Sequence, residues 1–170
     1  MLETSRLTLR RHTAADVDAV HRLYNNPAVL RYLSVTSMSS QDAWFRLLRY
    51  VGHWSLFGFG IFLVEEKTSG RFVGEVGFMD FRRQLGPQFD AFPEAMWILD
   101  SGAHGKGYAA EAVLAAHQWL HEAHRPGQTV CIINPDNSAS QRLARKLEYE
   151  EMGRRDYQEK EVLTFRRALK

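Results

Sequence analysis

A short apolar run, AMWILD at 95–100, leads into two glycines in HGKG at 104–107 and then an alanine-rich stretch that reads as a helix to His124. RPG at 125–127 stops that stretch, and a second apolar run, TVCII at 129–133, follows. Strand, glycine turn, helix, strand is a crossover unit. Such a unit joins parallel strands and does so with a right-handed turn. It predicts one parallel pair near the middle of a sheet, with HGKG at the carboxyl end of the first strand. Glycines there admit positive φ and let a ligand approach the backbone. The helix behind them presents its unbonded N–H groups and the positive end of its dipole, which suits an anion.

The rest of the chain carries mostly antiparallel signals. RLTLRR alternates Leu7 and Leu9 with polar residues, as a half-buried strand does. Thr13 with Asp16 is a variant capping box opening a helix that carries Val17, Val20 and Leu23, and Pro27 ends it and starts a short one to about Leu33. A third helix runs from SMSS through AWFRLLRYVGHW, with Ser40 as its cap. Two β-rich runs flank a turn at Thr68–Gly70 and predict a hairpin. RRQLGPQFDAFPE reads as a polar loop, NPDNSASQRLARKLEY as a loop feeding a helix, and Tyr149–Tyr157 and Val162–Ala168 as two last strands. With no repeats and no low-complexity linker, 1–170 reads as one domain of mixed α/β class, a mostly antiparallel central sheet flanked by helices. Twenty-two basic against 20 acidic residues give a net charge of +2, which argues against nucleic-acid binding by bulk electrostatics. No apolar run approaches the roughly 18 residues of a membrane span. The start, MLETSRLTLRR, lacks the apolar core of a signal peptide, and Cys131 is the one cysteine. These features predict a cytoplasmic protein, monomer or homodimer, with no internal disulfide.

Three phosphate motifs compete for HGKG. A nucleotide P-loop needs Ser or Thr after its lysine, and Gly107 follows Lys106. Gly105, Gly107 and Ala110 fit the dinucleotide fingerprint, but that motif belongs on the first strand of a doubly wound sheet, and the acid about 20 residues further on is missing. An NAD-dependent oxidoreductase is thus the weakest reading. The third motif is His104-x-x-Gly107-x-Ala109, a diphosphate site built from backbone N–H groups.

HGKGYAAEA resembles the acetyl-CoA pyrophosphate loop of the GNAT acyl-CoA-dependent N-acyltransferases, in the version of the branch that contains the ribosomal-protein-alanine N-acetyltransferases. ETSRLTLRRHTAADVDAVHRLYNNPAVLRYLS is similar to that branch's first strand and helices, RFVGEVGF to its third strand, and NPDNSASQRLARKLEYEEMG to its N-x-x-S…K-L-G-F segment. The resemblance implies acetyl-CoA as co-substrate, no metal, and transfer of its acetyl group to a primary amine on a protein N-terminus or a small molecule. It implies that the backbone of Gly105, Lys106, Gly107, Tyr108 and Ala109 holds the pyrophosphate, with His104 where Gln or Arg is usual. It departs from the family in two further places. Glu148 replaces a glycine suited to a left-handed helix end, a cost on the order of 1 kcal/mol. Ala144 stands seven residues past Asn137, where many members carry a tyrosine acid, which keeps a non-catalytic acyl-CoA-binding module in play.

Direct attack on a thioester needs a neutral amine, a polarised carbonyl and a stabilised thiolate. An α-amine titrates near ~8 and a lysine near ~10.4, so an N-terminus needs the lesser help. A water-linked carboxylate could serve as base, and Glu94 and Glu75 are the two candidates, against the alternative of solvated strand residues. The resemblance assigns carbonyl polarisation to backbone N–H groups near Ile98 and Leu99. Ser140 is either the donor to the departing thiolate or a helix-start hydroxyl. Asn137 either contacts the pantetheine amides or caps the same helix. The resemblance implies that the helices near residues 26–55 and the loop at 82–93 wall the acceptor cleft, where Tyr32, Trp44, Arg82 and Arg83 lie. His117, His121 and His124 resemble a metal cluster, but Gln118 stands where H-E-x-x-H needs glutamate, and solvated or half-buried histidines are the simpler reading.

Overall fold

The computed structural model describes residues 1–33 and 37–169. One eight-stranded sheet runs through it: β1 (Leu2–Glu3), β2 (Leu7–Arg10), β3 (Ile61–Glu66), β4 (Phe72–Met79), β5 (Glu94–Leu99), β6 (Gln128–Ile133), β7 (Glu150–Tyr157) and β8 (Lys160–Ala168). The spatial order is β1-β2-β3-β4-β5-β6-β8-β7. Every neighbouring pair is antiparallel except β5 and β6. The helices are α1 (Val17–Leu23), α2 (Pro27–Leu30), α3 (Ser40–Phe57), α4 (Pro87–Asp90), α5 (Tyr108–His124) and α6 (Ser138–Lys146). Here α5 is the predicted crossover.

Local chemistry sets the element ends. Asp16 takes the Thr13 N–H at 2.7 Å and the Thr13 hydroxyl at 3.0 Å, fixing a 3-10 turn ahead of α1. Ser39, not Ser40, caps α3. Its hydroxyl accepts from Asp42 N at 3.1 Å and donates to the Asp42 carboxylate, so the box is S-x-x-D one residue earlier than expected. The polar loop before β5 holds α4, started by Pro87 at a position where its missing N–H does no harm. α6 ends in a Schellman motif: Tyr149 N donates to Ala144 O at 2.9 Å and Glu148 N to Arg145 O at 3.0 Å. Glu148 itself sits at φ +64, a left-handed conformation that glycine adopts with less strain.

Side-chain alternation on β5 divides the molecule. Ala95, Trp97 and Leu99 turn toward α5 and α6, in a core with Tyr108, Val113, Leu120 and Cys131. Ile98 turns the other way, against Val20, Leu23 and Tyr24 of the α1–α3 side, and Met96 packs on Tyr50. Cys131 is buried, and that burial pushes its thiol up, as a core cysteine rather than a nucleophile. Ala144 is likewise fully buried in the α5–α6 core.

The parallel pair is where the sheet opens. β4 and β5 are matched over six residue pairs, and β6 and β8 over six. β5 and β6 share one, Glu94 with Val130, supported by Val130 N donating to Pro93 O at 3.1 Å. Beyond it the two strands diverge toward their carboxyl ends.

Candidate active site

The divergence of β5 from β6 leaves a cleft of about 440 Å³. Glu94, Trp97, Asn137, Ser140 and Tyr157 line it, together with Arg46 from α3. Glu94 marks its closed end and the HGKG turn follows the open end of β5. Edges of β5 that would have bonded to β6 face this space. Asp100 N donates to Val73 O at 2.9 Å, and in an antiparallel ladder alternate residues point the same way. Ile98 therefore pairs its backbone with Glu75 on β4, while Trp97 and Leu99 turn their N–H groups into the cleft. Of the two residues expected to polarise a carbonyl, Leu99 has its N–H on the β6 side together with Trp97, while Ile98 lines the cleft with its side chain and turns its N–H to β4.

The turn has the form that a diphosphate site requires. Gly105 sits at φ +74 and Gly107 at φ +78, both in the left-handed region where a Cβ is strained. Gly107 is the N-cap of α5, and the N–H groups of Tyr108 and Ala109 open the helix. His104 does not reach outward as an anion ligand. Its Nε2 lies 3.0 Å from Leu99 O, tying the turn to β5. Arg6, which no sequence motif marks, holds the turn from the strand side. Its Nη1 donates to Lys106 O at 2.9 Å, its Nη2 pairs with Glu111 at 2.6 Å, and its guanidinium lies over the Tyr108 ring. Tyr108 packs inward, its hydroxyl bonded to Glu66, which leaves its backbone N–H at the helix start.

At the start of α6, Asn137 Oδ1 accepts from Ser140 N at 3.0 Å and so caps the helix. Ser140 Oγ accepts from the Trp97 indole at 3.3 Å. That bond occupies the oxygen and leaves the hydroxyl proton to donate into the cleft.

The two carboxylates part company. Glu75 is fully buried. Its Oε1 meets His12 Nε2 at 2.9 Å, and its Oε2 accepts from Tyr24 and Tyr50, each at 2.9 Å. It holds a polar network under the cleft and does not line it. Glu94 lines the cleft. Its Oε2 accepts from Arg83 Nε at 2.6 Å, and Oε1 accepts no hydrogen bond among the described residues and is not sealed from solvent. Burial raises the Glu94 pKa, and the Arg83 guanidinium only partly reverses this. Arg83 is fixed in turn between the rings of Phe81 and Tyr157.

Of the residues expected on the acceptor wall, Tyr32 and Arg83 line the cleft. Trp44 does not, and Arg82 bonds Asp80 in solvent. Residues 34–36 of the expected 26–55 wall lie outside the described residues. Arg46 and Arg49 line it instead, although no motif marks them. The histidine trio is dispersed: His117 Nδ1 lies 2.8 Å from Val113 O with Tyr149 on its Nε2, and His124 Nε2 lies 3.1 Å from Gly58 O. Burial lowers the His117 pKa to about 4, so it is neutral at pH 7. Among the described residues no group of three or more His, Cys, Asp or Glu could hold a metal ion, and no helix is long and apolar enough to cross a membrane.

A helix N-terminus behind a left-handed glycine turn, beside two splayed strands with open N–H groups, has the form that an acyl-CoA thioester site needs. Residues 6–150 match the model of the acetyltransferase (GNAT) domain, and the chain belongs to that family, as an acetyl-CoA-dependent N-acetyltransferase. A solved structure from Bordetella pertussis, itself provisionally assigned to the GnaT-family acetyltransferases, is 30% identical, with a TM-score of 0.87 over 98% of each chain. Two more distant structures share the fold. The ribosomal-protein-S5-alanine acetyltransferase of Vibrio fischeri is 17% identical, TM-score 0.80, over 98% of this chain and 94% of that one. The spermidine N-acetyltransferase of Vibrio cholerae, solved with CoA and spermine, is 20% identical, TM-score 0.77, over 97% and 96%. The dinucleotide reading of Gly105, Gly107 and Ala110 falls with this fold: β5 is the fifth strand of a mostly antiparallel sheet, not the first of a doubly wound one.

Proposed function

We propose that the chain moves the acetyl group of acetyl-CoA directly to a primary amine, on a protein N-terminus or a small molecule, within one ternary complex. The observation that carries this is the opening between β5 and β6, with Trp97 and Leu99 N–H groups on one wall and Glu94 at its closed end. Acetyl-CoA would supply the activated acyl group, its pyrophosphate on the Gly105–Ala109 backbone and its pantetheine along the cleft past Asn137. The N–H groups of Trp97 and Leu99 are positioned to stabilise charge on a carbonyl oxygen. Glu94 Oε1 accepts the proton that the amine loses. Ser140 donates a hydrogen bond to the sulfur, which suits a thiolate whose conjugate acid has pKa ~8.5 and needs little more than a donor. Glu75 acts at one remove, fixing Tyr24 and Tyr50. A supply of acetyl-CoA and a single thiol needing no disulfide support a cytoplasmic setting.

The test is release of CoA thiol from acetyl-CoA across a panel of amines, with the product identified by mass. Amine-dependent thiol release with an acetylated amine is expected. Acetyl-CoA binding with no amine ever acetylated would sink the reading.

A further inference from the structure

Charge in the acceptor half of the cleft is one-sided. Four cations line it, Arg46, Arg49, Arg83 and Lys160, against two carboxylates, Glu94 and Glu161. Both carboxylates already hold a cation: Glu94 pairs with Arg83 and Glu161 with Arg154. Arg46 and Arg49 pair with no carboxylate among the described residues. Arg46 Nη1 donates to the hydroxyls of Tyr24 at 3.2 Å and Tyr50 at 3.1 Å. Its Nε is buried with no acceptor, and its Nη2 has no partner and is not sealed from solvent. Glu75, the anion behind it, is reached only through the two tyrosine hydroxyls. Arg49 is exposed, three residues further along α3 and so on the same face of the helix. Both arginines also line the adjoining depression with Met38, Asp42 and Phe45, where the Asp42 carboxylate bonds Ser39 and makes no ion pair with either, so the pair bridges the cleft to the outer surface. The arrangement is a guanidinium held in place by Tyr24, whose ring it covers at 4.0 Å, beside a second one free to move.

Resting on the acetyl-transfer reading, we propose that the acceptor amine also carries a carboxylate, which Arg46 and Arg49 bind while Glu94 takes the amine proton. Guanidinium is the side chain suited to bidentate carboxylate recognition. A second ammonium in the same place would instead face two uncompensated cations, so polyamines are poor acceptors for this cleft.

The carboxylate belongs either to a small amino acid or to an acidic residue near a peptide N-terminus, and the assay has an arm for each. In one arm β-alanine, γ-aminobutyrate and 5-aminovalerate are compared with propylamine, butylamine and pentylamine, which have similar amine basicity. In the other, peptides with Asp or Glu at the second or third position are compared with their Asn or Gln counterparts. Spermidine is the counter-case. In at least one arm the carboxylate-bearing acceptor should have a kcat/KM higher by about tenfold or more, as a charge-assisted pair provides. Arg49→Gln should cut that preference to within about threefold, mostly through KM, with acetyl-CoA affinity unchanged. Arg49 is exposed, so the variant should fold. Equal turnover of carboxylate-free partners, spermidine as the best acceptor, or a preference that survives Arg49→Gln would each overturn the proposal while leaving acetyl transfer standing. Acetylation of no amine in either arm would remove acetyl transfer itself, and this proposal with it.

Discussion

Glu94→Gln keeps the shape of the side chain and removes its ability to take a proton. The Glu94 side chain is 6% exposed, Arg83 occupies Oε2, and burial holds the carboxyl above the usual glutamate value. A raised pKa makes the ionised carboxylate a better acceptor for an amine proton. An α-amine of pKa near 8 is about one-tenth neutral at pH 7, so reliance on the pre-neutralised amine alone costs about tenfold. Losing proton removal during attack adds to this, for an expected drop of about 10²-fold in kcat/KM at pH 7, or about 3 kcal/mol of barrier. The gap should narrow as the pH approaches 9, because free amine then replaces what the base supplied. The variant also leaves Arg83 opposite a neutral amide. Breaking a buried pair destabilises by about 3–5 kcal/mol, which lowers Tm by roughly 6–20 °C in a chain of this size. Thiol release should therefore be followed from pH 6 to 9.5 at a temperature well below the variant's own Tm, with acetyl-CoA affinity as the control. Activity within threefold of the parent at pH 7, or a loss that is uniform across the pH range, would refute the role of Glu94 as base.

Gly107→Ala places a Cβ on a residue at φ +78, and that Cβ meets nothing closer than Arg6 Nη2 at 3.5 Å. Backbone strain of about 1–2 kcal/mol is then the whole effect; the free turn relieves it by relaxing out of the left-handed conformation and must regain that conformation to bind, so calorimetry should show acetyl-CoA binding weaker by about tenfold, with kcat at saturation little changed. Glu148→Gly relieves the left-handed residue of the α6 Schellman motif and should stabilise the fold by about 1 kcal/mol, a rise of roughly 2–4 °C in Tm, without altering kinetics. Burial pushes the Asp16 carboxyl up, but its bonds with Arg10 and Thr13 outweigh this and hold it at about 2. The folded state thus binds this proton less tightly than the unfolded state, so the stabilisation is present above about pH 4 and disappears as pH falls through 2. Asp16→Asn should lower unfolding free energy by about 2 kcal/mol at pH 7, with the difference closing toward pH 2 in denaturant titrations.

Much of the architecture is legible in local chemistry. The period-two run at Leu7 and Leu9, the hairpin turn at Thr68–Gly70 and the crossover from β5 through α5 to β6 each rest on residues adjacent in sequence. The phosphate turn is legible for the same reason: left-handed φ at Gly105 and Gly107 is a property of the residue type. Small errors come from competing local options, as where Ser39 and Ser40 both could cap α3 and the one three residues before Asp42 prevails.

What the chain determines by itself is therefore the parallel crossover, the glycine turn before α5, and the family those residues resemble. Tertiary structure alone decides which chemistry faces the cleft. Glu75 and Glu94 are equally plausible carboxylates in the sequence. The ladder of β4 and β5 sends one into a seal of His12, Tyr24 and Tyr50 and leaves the other open at the point where β5 and β6 part. Which N–H groups on β5 are left unpaired by β4 depends on strand register, so those of Trp97 and Leu99 point to the β6 side and that of Ile98 points to Glu75. Arg46 and Arg49 look like ordinary charges on a helix face until α3 is laid beside β5. Burial, register and approach are properties of segments far apart in the chain, and no local pattern encodes them.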